Sequence, residues 1–176
     1  MYVEHKRSVT MPDDNRFMSG RLSSYIFALY RPPQAIANIY GDDAHPNLNG
    51  QARFFQTPYG ILISLEASNL PNFADPCKAP IFAVHIHDGN SCTGDDFSDT
   101  LSHYNPDGCQ HPHHAGDMPP LFGNNGYAFE IFLTNRFTVA EVLGKTVVIH
   151  ENPDDFTTQP SGNSGAKIAC GVIVPR

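Results

Sequence analysis

Two histidines, two residues apart, are the first candidates for chemistry in this chain. His85 and His87 stand in the run Ala83-Val84-His85-Ile86-His87, which has strand character. Side chains at i and i+2 of a strand leave the same face. Two imidazoles can therefore reach one metal ion from a single rigid element. Imidazole suits copper and zinc, and an all-nitrogen ligand set with an open position lets copper pass between Cu(II) and Cu(I). His150 ends a second apolar run, Val147-Val148-Ile149-His150, and can supply a third ligand from a neighbouring strand.

The segment between these runs carries His103, His111, His113, His114 and Asp117. Three imidazoles and one carboxylate, from His103, His111, His114 and Asp117, complete a tetrahedral zinc site. A loop can hold such a site because the free energy of metal binding then orders the loop. Taken singly, these features are ordinary. A His-x-His pair on a strand is a weak signal, and His111-Pro112-His113-His114 could be a surface loop. The combination with His150 at a strand end is what points to a metal centre. His113 is read as pointing outward, and His5 and His45 as solvent-exposed without a role.

Rigid strands are needed to position these groups, and the composition supplies them. The chain of 176 residues is 40% hydrophobic and contains 14 glycines and 15 prolines, which suits one turn-rich domain with a real core. Strand character recurs at 35–40, 51–57, 60–67, 81–87, 126–133, 146–150 and 168–174, with a hairpin turn at Pro58–Gly60. Two long segments, 88–125 and 151–166, interrupt the strands; loops of that length are usually functional. Many short strands with two such loops predict an all-β sandwich or barrel with Greek-key connections. Residues 1–32 read as a partly disordered N-terminal extension in which Tyr25–Tyr30 could pack on the domain, and residues 33–176 as the domain itself.

The net charge of −7 argues against nucleic acid as a partner. No apolar stretch is long enough for a membrane span. Residues 1–24 lack the apolar core of a signal peptide, which fits either a protein that stays inside the cell or a mature chain whose leader has been removed. The four cysteines, Cys77, Cys92, Cys109 and Cys170, allow two disulfides in three connectivities. Two disulfides would instead favour an extracytoplasmic, oxidising compartment. None of the four forms a CxxC pair.

Several longer motifs resemble copper/zinc superoxide dismutases. They are His85-Ile86-His87, Ser102-His103-Tyr104-Asn105-Pro106, His114-Ala115-Gly116-Asp117, Val148-Ile149-His150 with Asp154-Asp155, and the run Gly162 to Ile173. The resemblance covers roughly residues 35–174. The bacterial branch is nearest, because His103 to Asp117 is compact and continues as Met118-Pro119. It implies an eight-stranded Greek-key barrel of immunoglobulin-like type and the conversion of superoxide to oxygen and hydrogen peroxide. It implies copper on His85, His87, His103 and His150, and zinc on His103, His111, His114 and Asp117. His103 would bridge the two metals and exchange a proton. Asp154 would hold one copper histidine and one zinc histidine. Cys92 and Cys170 match the family's internal disulfide, which leaves Cys77 and Cys109 as free thiols or a second bridge. Lys167 stands where the family usually has an arginine that guides and docks the anion. Lysine keeps the charge but loses the planar fork of donors, so the expectation is retained but reduced activity. The alternative function is a dismutase-like protein that binds or delivers copper with weak catalysis; a third is a structural β-domain holding only zinc. A homodimer is compatible with the family.

Overall fold

The computed structural model describes residues 20–176 except 73, 74, 76, 78 and 79. In chain order the elements are helix α1 (Gly20–Leu29), strands β1 (Ala35–Gly41), β2 (Asn49–Thr57), β3 (Gly60–Ser68), β4 (Ile81–Phe82) and β5 (Val84–His87), a 3₁₀ segment (Asp95–Thr100), β6 (Leu121–Phe122), β7 (Tyr127–Thr134), a single helical turn α2 (Val139–Val142), β8 (Thr146–His150) and β9 (Lys167–Pro175).

Seven strands form one curled antiparallel sheet in the order β5-β8-β9-β1-β2-β3-β7. The connections from β3 to β5 and from β7 to β8 each cross the sheet, as Greek-key connections do. β4 and β6 form a separate two-stranded ladder. β4 runs through Ala83 into β5, and β6 leads through the Asn124–Tyr127 bridge into β7. The small ladder thus lies in the chain between the two edges of the large sheet.

The concave side is the core. Period-two alternation sends Ala35, Ala37 and Ile39 of β1, Ala52 and Phe54 of β2, Ile61, Ile63 and Leu65 of β3, and Val84 and Ile86 of β5 into one cluster. Val147 and Ile149 of β8 join it. In the β5–β8 register Val84 faces Ile149 and Ile86 faces Val147. His85 and His87 therefore take the opposite, convex face. All four β5 residues and all five of β8 are nonetheless buried, because the long loops cover that outer face.

Three details depart from the sequence reading. The run 81–87 is two strands rather than one. Its pairing partner changes at Ala83, whose N–H donates to Asn152 O (2.9 Å) and whose carbonyl accepts from His150 N (2.9 Å). An eight-stranded count thus becomes seven strands plus a two-stranded ladder. Second, residues 20–29 are an α-helix rather than an irregular stretch. Tyr25 packs edge-on against Tyr59 with ring centroids 6.0 Å apart, and Arg21 lies over the Tyr59 ring at 5.0 Å. The rest of the N-terminal expectation, including His5, lies outside the described residues. Third, Cys77 and Cys109 are free, exposed thiols, so the second bridge is not formed. The expected Cys92–Cys170 disulfide is present, with 5.7 Å between Cα atoms.

Candidate metal centre

The edge of β5 is extended by the loop rather than by another strand. Tyr104 N donates to Ile86 O and Ile86 N to Gly116 O, both at 2.8 Å, and Asp88 N donates to Ser102 O at 2.8 Å. Isolated bridges pair His87 with His103 and His85 with Asp117. Two passes of the loop are thereby fixed beside the His-x-His strand. Gly116 is required in this arrangement, since a Cβ there would collide with the Ile86 carbonyl.

Two sets of side chains converge on the covered face. In one, His85, His87, His103 and His150 bring one ring nitrogen each within 4.8 Å of one another; in the other, a ring nitrogen each from His103, His111 and His114 and a carboxylate oxygen of Asp117 do the same. His103 belongs to both. Its Nδ1 lies 2.8 Å from Asp117 Oδ1 and 3.3 Å from His114 Nδ1, while its Nε2 is buried without a hydrogen-bond partner. The rings of His85 and His103 are 3.9 Å apart, centroid to centroid.

The second nitrogen of most of these rings is tied to the protein. His87 Nδ1 donates to Leu101 O at 2.9 Å, and His150 Nδ1 to Gly165 O at 3.4 Å. That leaves their Nε2 atoms facing each other at 3.2 Å. Asp154 accepts from His85 Nε2 (2.9 Å) with one oxygen and from His111 Nε2 (2.8 Å) with the other. The Nδ1 atoms of His85 and His111 are consequently buried without hydrogen-bond partners. His111 Nδ1 lies 3.1 Å from Asp117 Oδ2. Such tethers fix both the tautomer and the orientation of an imidazole ligand.

Burial favours the neutral form of three of these histidines, His85, His87 and His150. Burial drives His87 down to about 2, and the neighbouring imidazoles add to it. Burial, then His85, lower His150 to about 3. Burial also lowers His85, against the pull of Asp154. The carboxylates stay charged. Burial alone would raise Asp154, but hydrogen bonds from His85, the Phe156 amide and His111 bring it down to about 2. In Asp117 the hydrogen bond and charge of His103 likewise outweigh burial. Neutral imidazoles and ionised carboxylates are the forms that bind metals.

Comparison with known proteins gives the family. A sequence model of the family described as copper/zinc superoxide dismutase (SODC) matches residues 48–173. The chain belongs to the copper/zinc superoxide dismutase family. Copper–zinc superoxide dismutase 1 of Aquifex aeolicus is 37% identical over 139 residues, spanning 70% of this chain and 79% of that protein. The copper–zinc superoxide dismutase of Deinococcus radiodurans is 34% identical over 153 residues, 74% of this chain and 80% of its own. Among solved structures, a superoxide dismutase-like protein from Bacillus subtilis superposes with a TM-score of 0.64 at 28% identity, covering 78% of this chain and 96% of that one.

Copper and zinc are the metals of this family, and the residues fit them. Four imidazole nitrogens suit copper and three with a carboxylate suit zinc. The orphaned nitrogens of His85, His103 and His111 are the atoms such ions would satisfy.

Beside the all-histidine set lies a cavity of about 380 Å³, lined by His87, His103, His150 and Lys167 among others. Lys167 Nζ is 2.7 Å from Thr100 Oγ1, 3.2 Å from Phe97 O and 3.4 Å from Leu101 O. An ammonium has three donors, so three protein acceptors engage all of them. Phe97 (φ 56°, ψ 38°) is held in left-handed backbone and Leu101 (φ 60°, ψ −148°) in a region almost reserved for glycine, at roughly 1–3 kcal/mol each. Burial lowers the Lys167 pKa.

His113 is exposed, as expected. His45 is only partly exposed and pairs with Asp42 at 2.7 Å. The sequence reading missed the carbonyls of Leu101 and Gly165, which orient two rings, and Gln159. The amide of Gln159 accepts from His111 N (3.0 Å) and donates to His111 O (2.7 Å). It also missed Gly162 (φ +68°), where a Cβ would collide with Asp154 and press on His111.

Proposed function

We propose that the protein is a superoxide dismutase in which His103 serves copper and zinc at once. Two superoxide anions and two protons become one oxygen and one hydrogen peroxide. One anion gives up an electron and leaves as oxygen; the other receives an electron and both protons. The observation that carries this reading is the His103 ring, with Nδ1 in the carboxylate-containing set and a partnerless, buried Nε2 in the all-histidine set.

Copper would sit on His85 Nδ1, His87 Nε2, His103 Nε2 and His150 Nε2, and zinc on His103, His111, His114 and Asp117. Bound copper supplies one-electron redox chemistry, while zinc keeps one redox state and organises the loop. His103 Nε2 is the atom at which a proton is held and passed to the reduced substrate. Asp154 fixes one ring of each set, so the two sites share an orientation.

Lys167 provides positive charge at the cavity mouth of an acidic protein, and a local field of that sign attracts an anion whatever the global charge. With its donors engaged by residues 97–101, its part is attraction and bracing of that segment rather than a free hydrogen bond to the anion. We further propose a homodimer. The outward side chains Tyr127, Phe129, Ile131 and Leu133 of β7, with Phe122, form an exposed apolar strip, which marks interaction surfaces.

The test is superoxide decay with protein loaded with copper and zinc, beside the metal-free and zinc-only forms. Turnover that needs copper supports the enzyme. One copper and one zinc bound without turnover would favour copper handling, and failure to take up copper would favour a zinc-stabilised structural domain.

A further inference from the structure

We infer that Arg136 is a positioning residue for the zinc site, holding the backbone of its ligands in place before the metal arrives; this rests on reading His111, His114 and Asp117 as zinc ligands. Arg136 follows β7 and is a surface residue by its exposure, so solvated charge is the ordinary expectation for it. Its contacts are not ordinary. Nη1 lies 3.1 Å from Asp117 O, 3.2 Å from His114 O and 3.4 Å from Pro112 O. Two of these carbonyls belong to zinc-ligand residues and the third to the residue after His111.

Three carbonyl oxygens turned toward one point repel each other unless a cation sits among them, and hydrogen bonds to a charged donor are the strong ones. The arrangement also has a rigid base. Arg136 N donates to Thr134 Oγ1 at 3.2 Å, and Thr134 ends a strand paired with β3 from Tyr127 onward. One side chain therefore ties the sheet to the turn between His114 and Asp117. That turn is closed by Asp117 N donating to His114 O (3.2 Å) and by His114 N donating to Asp117 Oδ2 (3.0 Å). The direction of the His114 and Asp117 peptide planes sets where the ligand atoms point. Ordering these groups in advance removes a cost that zinc binding would otherwise carry.

The experiment measures zinc affinity by chelator competition on the full chain, with thermal unfolding of the metal-free protein in parallel. The variants are Arg136→Met, which keeps most of the bulk and removes the donors, and Arg136→Lys, which keeps a cation. Loss of partners around metal ligands typically weakens binding ~10–100-fold. The expected result is zinc binding about tenfold weaker in Arg136→Met at an unchanged metal-free Tm, with at least part of the affinity restored in Arg136→Lys. An unchanged zinc affinity in Arg136→Met overturns the inference. So does a loss of affinity accompanied by an equal loss of metal-free stability, which would make Arg136 a general structural residue. A wild-type protein that takes up no zinc sinks the two-metal reading itself, a different outcome from a wild type and an Arg136→Met that bind zinc equally well.

Discussion

Oδ1 of Asp154 accepts a hydrogen bond from Nε2 of His111 at 2.8 Å, and the other oxygen of the same carboxylate takes His85 Nε2 at 2.9 Å. One buried side chain from the 151–166 loop thus sets a ring in each metal set. Asp154→Asn offers one acceptor where two are needed and turns a donor toward the second ring. Both metals are expected to bind ~10–100-fold more weakly, measured by competition with chelators of known affinity. Weakening of one metal only would show that the carboxylate does not couple the sites.

Lys167 separates charge from hydrogen bonding. Lys167→Met removes the charge and frees the carbonyls of Phe97 and Leu101, the latter also the acceptor for His87. Turnover should fall by about tenfold at low salt, the lower end of what electrostatic focusing supplies, and lose much of its dependence on ionic strength. Lys167→Arg has five donors and should be at least as fast as wild type. Stopped-flow superoxide decay at several salt concentrations decides this, and a Lys167→Met protein with wild-type rate and salt dependence would remove Lys167 from the account.

Acid should unfold the metal-free protein early. His87 and His150 have folded pKa values near 2 and 3, against 6.5 unfolded. Below 6.5 the unfolded chain binds protons that the folded chain refuses, so stability is full above that pH and drains as pH falls toward 3. Each group contributes about 1.4 kcal/mol per pH unit in that window. Asp154, shifted from 3.8 to about 2, acts in the same direction at lower pH. Denaturant unfolding of the metal-free protein from pH 7.5 to 5 should show a steady decline, and a flat profile would contradict it.

The Cys92–Cys170 bond closes a loop with a sequence separation of 78, and chain entropy alone gives it about 4 kcal/mol. It also anchors the segment that presents the Leu101 carbonyl to His87. The Cys92→Ser/Cys170→Ser double variant should lose 2–4 kcal/mol by the usual experience with such bridges, ~2–5 for small domains, and bind copper more weakly than zinc. Equal effects on both metals would place the anchor elsewhere.

Much of this was legible in the sequence because it depends on spacing. Strand alternation around His85 and His87 placed both rings on one face, and β8 falls at 146–150 as read. Much of what escaped has no side-chain signature. The acceptors that orient His87 and His150 are backbone carbonyls of Leu101 and Gly165, and Arg136 works through three more. Short elements escaped as well. β6 has two residues, too few for periodicity. α2 is one turn, although Thr138 and Glu141 form a capping box, a signal present in Thr-x-x-Glu. The split at Ala83 depends on where a partner strand ends, which local sequence does not encode.

The central claim is that one imidazole, His103, is shared by two metals, and the copper spectrum tests it most directly. Electron paramagnetic resonance would be recorded on the copper form with zinc bound and after selective zinc removal. A shared ring predicts a clear change in the copper signal when zinc leaves, because Nδ1 of the copper ligand loses its metal. A copper signal indifferent to zinc would contradict the account.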